Sequence, residues 1–118
     1  MKWIVMIFIM LSLTSVGQAK SSSLQSLMNS CEQGSNKSCY RAGNILYNQK
    51  KRIQARYYFR LACKRKHSNS CIGAGNTYIL EEMAGYSRGN SKKYYYRACE
   101  LGNSEGCRKH QLSQMAGY

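Results

Sequence analysis

The sequence contains no aspartate, and its acidic residues are five glutamates in a chain of 118 residues. Neither of its two histidines, His67 and His110, therefore has an aspartate that could orient it beside a nucleophile. Glu81 and Glu82 are adjacent, and adjacent side chains on a helix diverge instead of forming a catalytic carboxylate pair. A solvated helix end is the simpler interpretation of these two glutamates. The sequence therefore predicts no catalytic residues.

The sequence also lacks proline, and it has no long apolar run after its first residues. A short basic start precedes an apolar stretch from 3 to 13, and small residues follow up to Ala19. This order is typical of a cleaved secretory signal. A membrane anchor is the alternative interpretation, but it would need about 20 apolar residues. We therefore predict a signal peptide over 1–19 and a periplasmic or secreted domain over 20–118, without a membrane span.

Negative charge is scarce as well. Lysine and arginine number 18 against five glutamates, which gives a formal net charge of +13. Such a charge favours acidic partners, among them an acidic protein surface, an anionic lipid or glycan, and nucleic acid. Export argues against nucleic acid as the physiological ligand. We therefore predict an acidic protein partner.

The chain has six cysteines in three pairs, and the members of each pair are eight positions apart. Cys31 and Cys63 are 32 positions apart and Cys63 and Cys99 are 36 apart, periods that are typical of stacked helical hairpins. The segment 42–44 recurs at 74–76, and its small residues would let neighbouring helices approach closely. We predict an all-α fold, an α/α solenoid of about three disulfide-linked helical hairpins. Its helices are expected near 22–33, 36–48, 53–66, 69–81, 91–101 and 104–114.

Each cysteine pair connects the last turn of one predicted helix to the first turn of the next. Antiparallel packing across a short turn brings such positions within disulfide distance, and export provides an oxidising compartment. Structural zinc is the alternative, but its cysteines are usually two to four positions apart. We therefore predict neither a metal nor a cofactor. Six cysteines allow 15 pairings, of which the repeat favours Cys31–Cys39, Cys63–Cys71 and Cys99–Cys107.

Basic residues form two clusters. One recurs every four positions along the third predicted helix, and the other lies beside three tyrosines on the fifth. Because the clusters occupy equivalent places in successive repeats, stacking would merge them into one patch. Tyrosines beside arginines are typical of interface hot spots, although a solvated basic face is the alternative. The predicted partner-binding residues are Arg52, Arg56, Arg60, Lys64, Arg88, Lys92, Lys93, Tyr94 and Arg97.

The middle unit resembles the Sel-one-like repeats (SLR), which are relatives of the tetratricopeptide repeats. The outer units depart from the pattern, since Ser91 replaces a leading alanine and His110-Gln111 replaces a small residue and glycine. Such departures suit terminal capping repeats. The cysteine spacing is similar to that of the cysteine-rich secreted branch, and the resemblance implies an α-solenoid with a concave protein-binding surface. The residues that carry it are Ala55, Tyr58, Phe59, Ala62, Cys63, Cys71, Ala74, Gly75 and Tyr78.

The resemblance implies an exported, non-catalytic protein-binding module. Within this class, one specific hypothesis is an immunity protein that neutralises a phospholipase-type effector of a type VI secretion system. A β-lactam-binding protein or weak β-lactamase is the alternative that some cysteine-rich SLR proteins suggest, but the chain lacks the Ser-x-x-Lys, Lys-Thr-Gly and Ser-Asp-Asn elements of serine β-lactamases. An envelope scaffold or a binder of anionic surfaces is the third hypothesis.

Overall fold

A computed structural model describes residues 19–86 and 88–117, and the predicted signal peptide lies outside the described residues except for Ala19. The described residues form helices and turns without a strand, which confirms the all-α prediction. Each helix packs against the next along the chain, and contacts between the first and third helices and between the second and fourth extend this into a solenoid. The helices are α1 (Ala19–Glu32), α2 (Asn36–Asn48), α3 (Arg52–Lys64), α4 (Ser68–Met83), α5 (Asn90–Glu100) and α6 (Ser104–Ala116).

Three disulfides close the three hairpins α1–α2, α3–α4 and α5–α6. They join Cys31 to Cys39, Cys63 to Cys71 and Cys99 to Cys107, with Cα–Cα distances of 4.5, 4.6 and 4.5 Å. The predicted pairing is therefore confirmed. The cysteines of the first two bridges are buried, whereas those of the third are half-buried.

The turn inside each hairpin has the same backbone geometry. A residue with positive φ ends the first helix, and its N–H donates to the carbonyl three positions back. The N–H of the following residue donates to the carbonyl five positions back, so that each turn is a Schellman motif. That following residue is also the N-cap of the second helix. The positive-φ residues are Gly34, Lys66 and Gly102, with φ of 119°, 70° and 89°.

Aromatic rings against glycine backbone form the contacts between hairpins. Phe59 is buried between α2 and α4, where a Cβ added at Gly43 or Gly73 would lie 2.6 Å from its ring. Tyr95 occupies the equivalent place in the next hairpin and lies against Gly75 in the same way. Glycine is therefore needed at these positions for close approach, despite its cost of about 1 kcal/mol within a helix.

Lys66 gives the first testable prediction, because it adopts a left-handed conformation where the other two hairpins have glycine. A residue with a Cβ pays roughly 1–2 kcal/mol in that conformation, partly offset by the greater freedom of glycine in the unfolded chain. Lys66→Gly should therefore raise the free energy of unfolding by about 0.5–1 kcal/mol, measured by thermal or urea denaturation of the oxidised protein.

The control is Arg60→Gly, which places glycine at an exposed position inside α3. It should lower stability by about 1 kcal/mol. Equal destabilisation by the two substitutions would show that the backbone at Lys66 is not strained.

Candidate binding groove

The basic residues of α3 wind around the helix instead of following one face. They recur every four positions from Arg52 to Lys64. Four residues turn a helix by about 400°, so each successive side chain is displaced by about 40° around the axis. As a result, Arg56 contacts α4, whereas Arg60 and Lys64 lie beside α5.

Arg56 belongs to the contact between α3 and α4. Its Nε donates to Thr77 Oγ1 at 3.0 Å, and its Nη2 donates to the Thr77 carbonyl at 2.9 Å and to Glu81 Oε1 at 2.7 Å. The guanidinium carbon also lies 3.7 Å from the centroid of the Tyr78 ring. The sequence analysis counted Arg56 among the partner-binding residues, but these contacts leave its side chain only 13% exposed. We therefore leave Arg56 out of the candidate site.

Arg56→Ala should lower the free energy of unfolding by about 2 kcal/mol, because hydrogen bonds to charged groups contribute roughly 1.5–3 kcal/mol. Arg60→Ala, one turn further along the same helix at an exposed position, should change it by less than about 0.5 kcal/mol. Urea denaturation of both variants and the wild type measures the difference. Coinciding midpoints for the two variants would contradict the structural role of Arg56.

A groove of about 590 Å³ lies between α3 and α5. Two cations from each of the two predicted clusters line this groove. Stacking of the repeats therefore brings part of each cluster to one site. No carboxylate is among the groove residues. We call this site the basic groove, and its lining residues are Tyr57, Arg60, Leu61, Lys64, Lys93, Tyr94 and Arg97.

Helical spacing explains why α3 presents these side chains together. Tyr57, Arg60, Leu61 and Lys64 follow the i, i+3, i+4, i+7 pattern of a single helix face. The sequence analysis missed Tyr57 and Leu61, although this spacing relates both of them to Arg60 and Lys64. The cations recur every four positions, and this periodicity alone does not reveal that Arg60 and Lys64 share a helix face with Tyr57 and Leu61.

The tyrosines of the basic groove are held by neighbouring rings. Tyr94 stacks on Tyr78 with centroids 5.7 Å apart and an interplanar angle of 6°, and Lys93 Nζ lies 5.9 Å from the Tyr94 centroid. Tyr57 meets Tyr58 edge to face at 4.9 Å, and its hydroxyl donates to Glu32 at 3.3 Å. Rings fixed in this way lose little freedom on binding a ligand.

The remaining predicted residues lie outside the basic groove. Arg52 is half-buried at the start of α3. Arg88 and Lys92 line a neighbouring depression of about 490 Å³, and Lys93 is shared between this depression and the groove. Tyr96 also lines the depression. The second predicted cluster is therefore divided between two adjoining surfaces.

The side of the solenoid formed by α2 and α4 has a different character. A cavity of about 150 Å³ there is lined by tyrosines and asparagines, with Glu105 as the single charged residue. The Tyr95 hydroxyl donates to Asn76 Oδ1 at 2.6 Å. Burial, assisted by the carboxylate of Glu82, raises the pKa of Tyr95 above its usual range. The basic groove therefore differs in charge from this cavity, although exposed cations also occur on α2, at Lys37 and Arg41.

Within the described ranges, no group of three or more metal-ligating side chains converges. No helix in the same ranges is long and apolar enough to cross a bilayer. His67 Nδ1 lies 2.7 Å from Ser70 Oγ, and burial lowers the pKa of its ring. What the basic groove offers chemically is positive charge beside aromatic and aliphatic surface, which suits a ligand that carries both an anionic group and an apolar group.

No protein-family model matches the chain, and no curated protein matches it. The fold itself defines the class of the protein, which is an α-solenoid of disulfide-linked hairpins. The resemblance to Sel-one-like repeats stays a prediction.

Proposed function

We propose that the protein is an exported, non-catalytic binding module that holds an acidic segment of a partner protein in the basic groove. The observation that carries the proposal is the grouping of Arg60, Lys64, Lys93 and Arg97 around one groove without a carboxylate. Three disulfides support export, because such bonds persist in oxidising compartments.

The groove cations favour an anionic ligand because none of the four forms an ion pair among the described residues. The ion pair found among the described residues joins Arg56 to Glu81 and lies outside the groove. Bringing carboxylates between α3 and α5 would relieve the mutual repulsion of the four cations. Since these cations are near the surface, they would act mainly on association rate and on salt dependence.

The apolar part of the groove favours a protein segment over a simple anion. Tyr57, Leu61 and Tyr94 present aromatic and aliphatic surface between the cations. Buried aromatic contacts supply most of the affinity in protein interfaces, while charged rims supply orientation. The expected ligand is therefore a segment in which glutamate or aspartate alternates with a large apolar side chain.

The test is binding of a fluorescent peptide built from Glu-Glu-Leu repeats. The charge-reversal variant Lys93→Glu/Arg97→Glu should weaken binding by at least about tenfold, equivalent to about 1.4 kcal/mol. The matched control is Lys37→Glu/Arg41→Glu, which makes the same change at two exposed positions on α2 and should bind like the wild type.

Two further measurements on the same protein sharpen this test. Tyr57→Ser should weaken binding without a change in salt dependence, because it removes an aromatic contact and no charge. Equal losses in both double variants would mean that the peptide responds to net charge alone. Displacement of the peptide by single-stranded oligothymidine at lower concentration than by unlabelled peptide would favour stacking on nucleic acid instead.

The partner class that we propose is an envelope-targeted toxin of the phospholipase type, as the family resemblance suggests. Cells that produce such a toxin, encoded beside this gene, in the periplasm should grow when the exported protein is also produced. The Lys93→Glu/Arg97→Glu variant should not protect them, and the Lys37→Glu/Arg41→Glu variant should. Growth arrest despite wild-type protein in the periplasm would leave the binding module without an immunity role.

A further inference from the structure

We propose that one edge of the solenoid binds peripherally to the surface of an anionic lipid bilayer. This edge contains the carboxyl ends of α2, α4 and α6 and the amino ends of α3 and α5. These ends lie together because short turns and disulfides fold each hairpin back on itself, so that successive helices run antiparallel. We call it the turn edge, as opposed to the disulfide edge. The proposal is independent of the function proposed for the basic groove.

Large apolar side chains project from the turn edge. Met83 is 62% exposed, Tyr86 69% and Met115 79%. Leu80 lies three positions before Met83 and is also exposed, so that the pair shares one face of α4. Single exposed apolar residues are ordinary, but several at one place indicate a contact with an apolar phase.

Hydrogen bonds to the end of α4 fix the backbone at Tyr86. Its N–H donates to the Glu81 carbonyl at 2.8 Å, and the N–H of Gly85 donates to the Glu82 carbonyl at 3.0 Å. Gly85 has a φ of 90°, so α4 ends in another Schellman motif. The exposed ring of Tyr86 is therefore held just beyond the end of the helix, where an amphipathic aromatic side chain can enter a bilayer interface.

The end of α6 lies beside the start of α5 at this edge. Gly117 lines the same depression as Arg88 and Lys92. Ile79 and Ala116 both line an opening between α4 and α6. The exposed side chains near the ends of α4 and α6 and the cations at the start of α5 therefore belong to one continuous surface.

Cations flank the apolar side chains of the turn edge. Arg88 is exposed and Lys92 half-buried at the start of α5, and Lys50 and Lys51 are exposed in the turn between α2 and α3. Ile53, 66% exposed, follows that turn. Basic residues are attracted to an anionic bilayer, and apolar side chains beside such cations are what interfacial binding requires.

The carboxylates near the turn edge are already bound within the protein. Glu81 accepts from Arg56, and Glu82 accepts from the N–H and the hydroxyl of Ser91. Glu82 is buried, so the interpretation of both glutamates as a solvated helix end is wrong for this residue. The other glutamates are close to the disulfide edge, at the ends or starts of helices: Glu32, Glu100 and Glu105. An anionic bilayer fits the turn edge because it offers phosphate to the cations and an acyl boundary to the apolar side chains.

The test is co-sedimentation of the oxidised protein with vesicles of phosphatidylcholine alone or mixed with phosphatidylglycerol. We expect binding to the anionic vesicles and none to the neutral ones. Met83→Ser/Tyr86→Ser should weaken binding to anionic vesicles by at least about tenfold, since two side chains lose their apolar contact. The matched control is Tyr57→Ser, which removes a tyrosine of similar exposure, 53%, from the basic groove and should leave vesicle binding unchanged.

Additional measurements distinguish binding through the apolar side chains from binding through charge alone. The Met83→Ser/Tyr86→Ser variant should keep its affinity for the Glu-Glu-Leu peptide, which shows that it is folded and that the two surfaces are distinct. Excess inorganic phosphate should not displace the wild type from vesicles if the apolar side chains contribute. Absence of wild-type binding to anionic vesicles would overturn the proposal. Equal binding by the variant and the wild type would also overturn it, because charge alone would then account for the attraction.

Discussion

The disulfide-closed hairpin is the constraint on which the rest of the structure depends. A bridge between positions eight apart holds two helix ends with Cα atoms 4.5–4.6 Å apart, and a Schellman turn lies inside each of the three loops. Closing a loop this short stabilises by roughly 2–3 kcal/mol in the chain-entropy treatment. That contribution matters in a domain of this size, whose core is small. Each hairpin is closed by its own bridge, and the packing between hairpins is as extensive as the packing within them.

One aromatic ring lies at each of the two junctions between hairpins. Phe59 and Tyr95 stand four positions before the first cysteine of their hairpins, and each lies against glycine on a neighbouring helix. The rings set how closely α3 and α5 approach the helices around them, and hence the width of the basic groove. Tyr95 differs from Phe59 by a hydroxyl that donates to Asn76. Phe59 has no hydroxyl, so its ring makes no equivalent hydrogen bond.

The regular features of the fold could be predicted from the sequence because they repeat. The disulfide pairing follows from spacing, and the helix bounds follow from the glycine and asparagine turns between periodic segments. Lys66 could not be identified as a left-handed residue, since a lysine carries no local signal for positive φ and only its alignment with Gly34 and Gly102 suggests it. Arg56 was counted among the partner-binding residues because residue spacing alone does not reveal that Thr77 and Glu81 lie beside it. Contacts between repeats depend on packing angles that no single repeat encodes.

The charge distribution follows from how few carboxylates the chain has. With five glutamates, each one that pairs internally leaves its surroundings basic, and two of them are used close to the turn between α4 and α5. Part of the positive charge that remains lies in the groove between α3 and α5, and another part lies along the turn edge. The groove faces sideways between parallel helices, whereas the turn edge lies across their ends. A bilayer at the turn edge would therefore leave the groove open, so that one scaffold could hold a protein segment at a membrane surface.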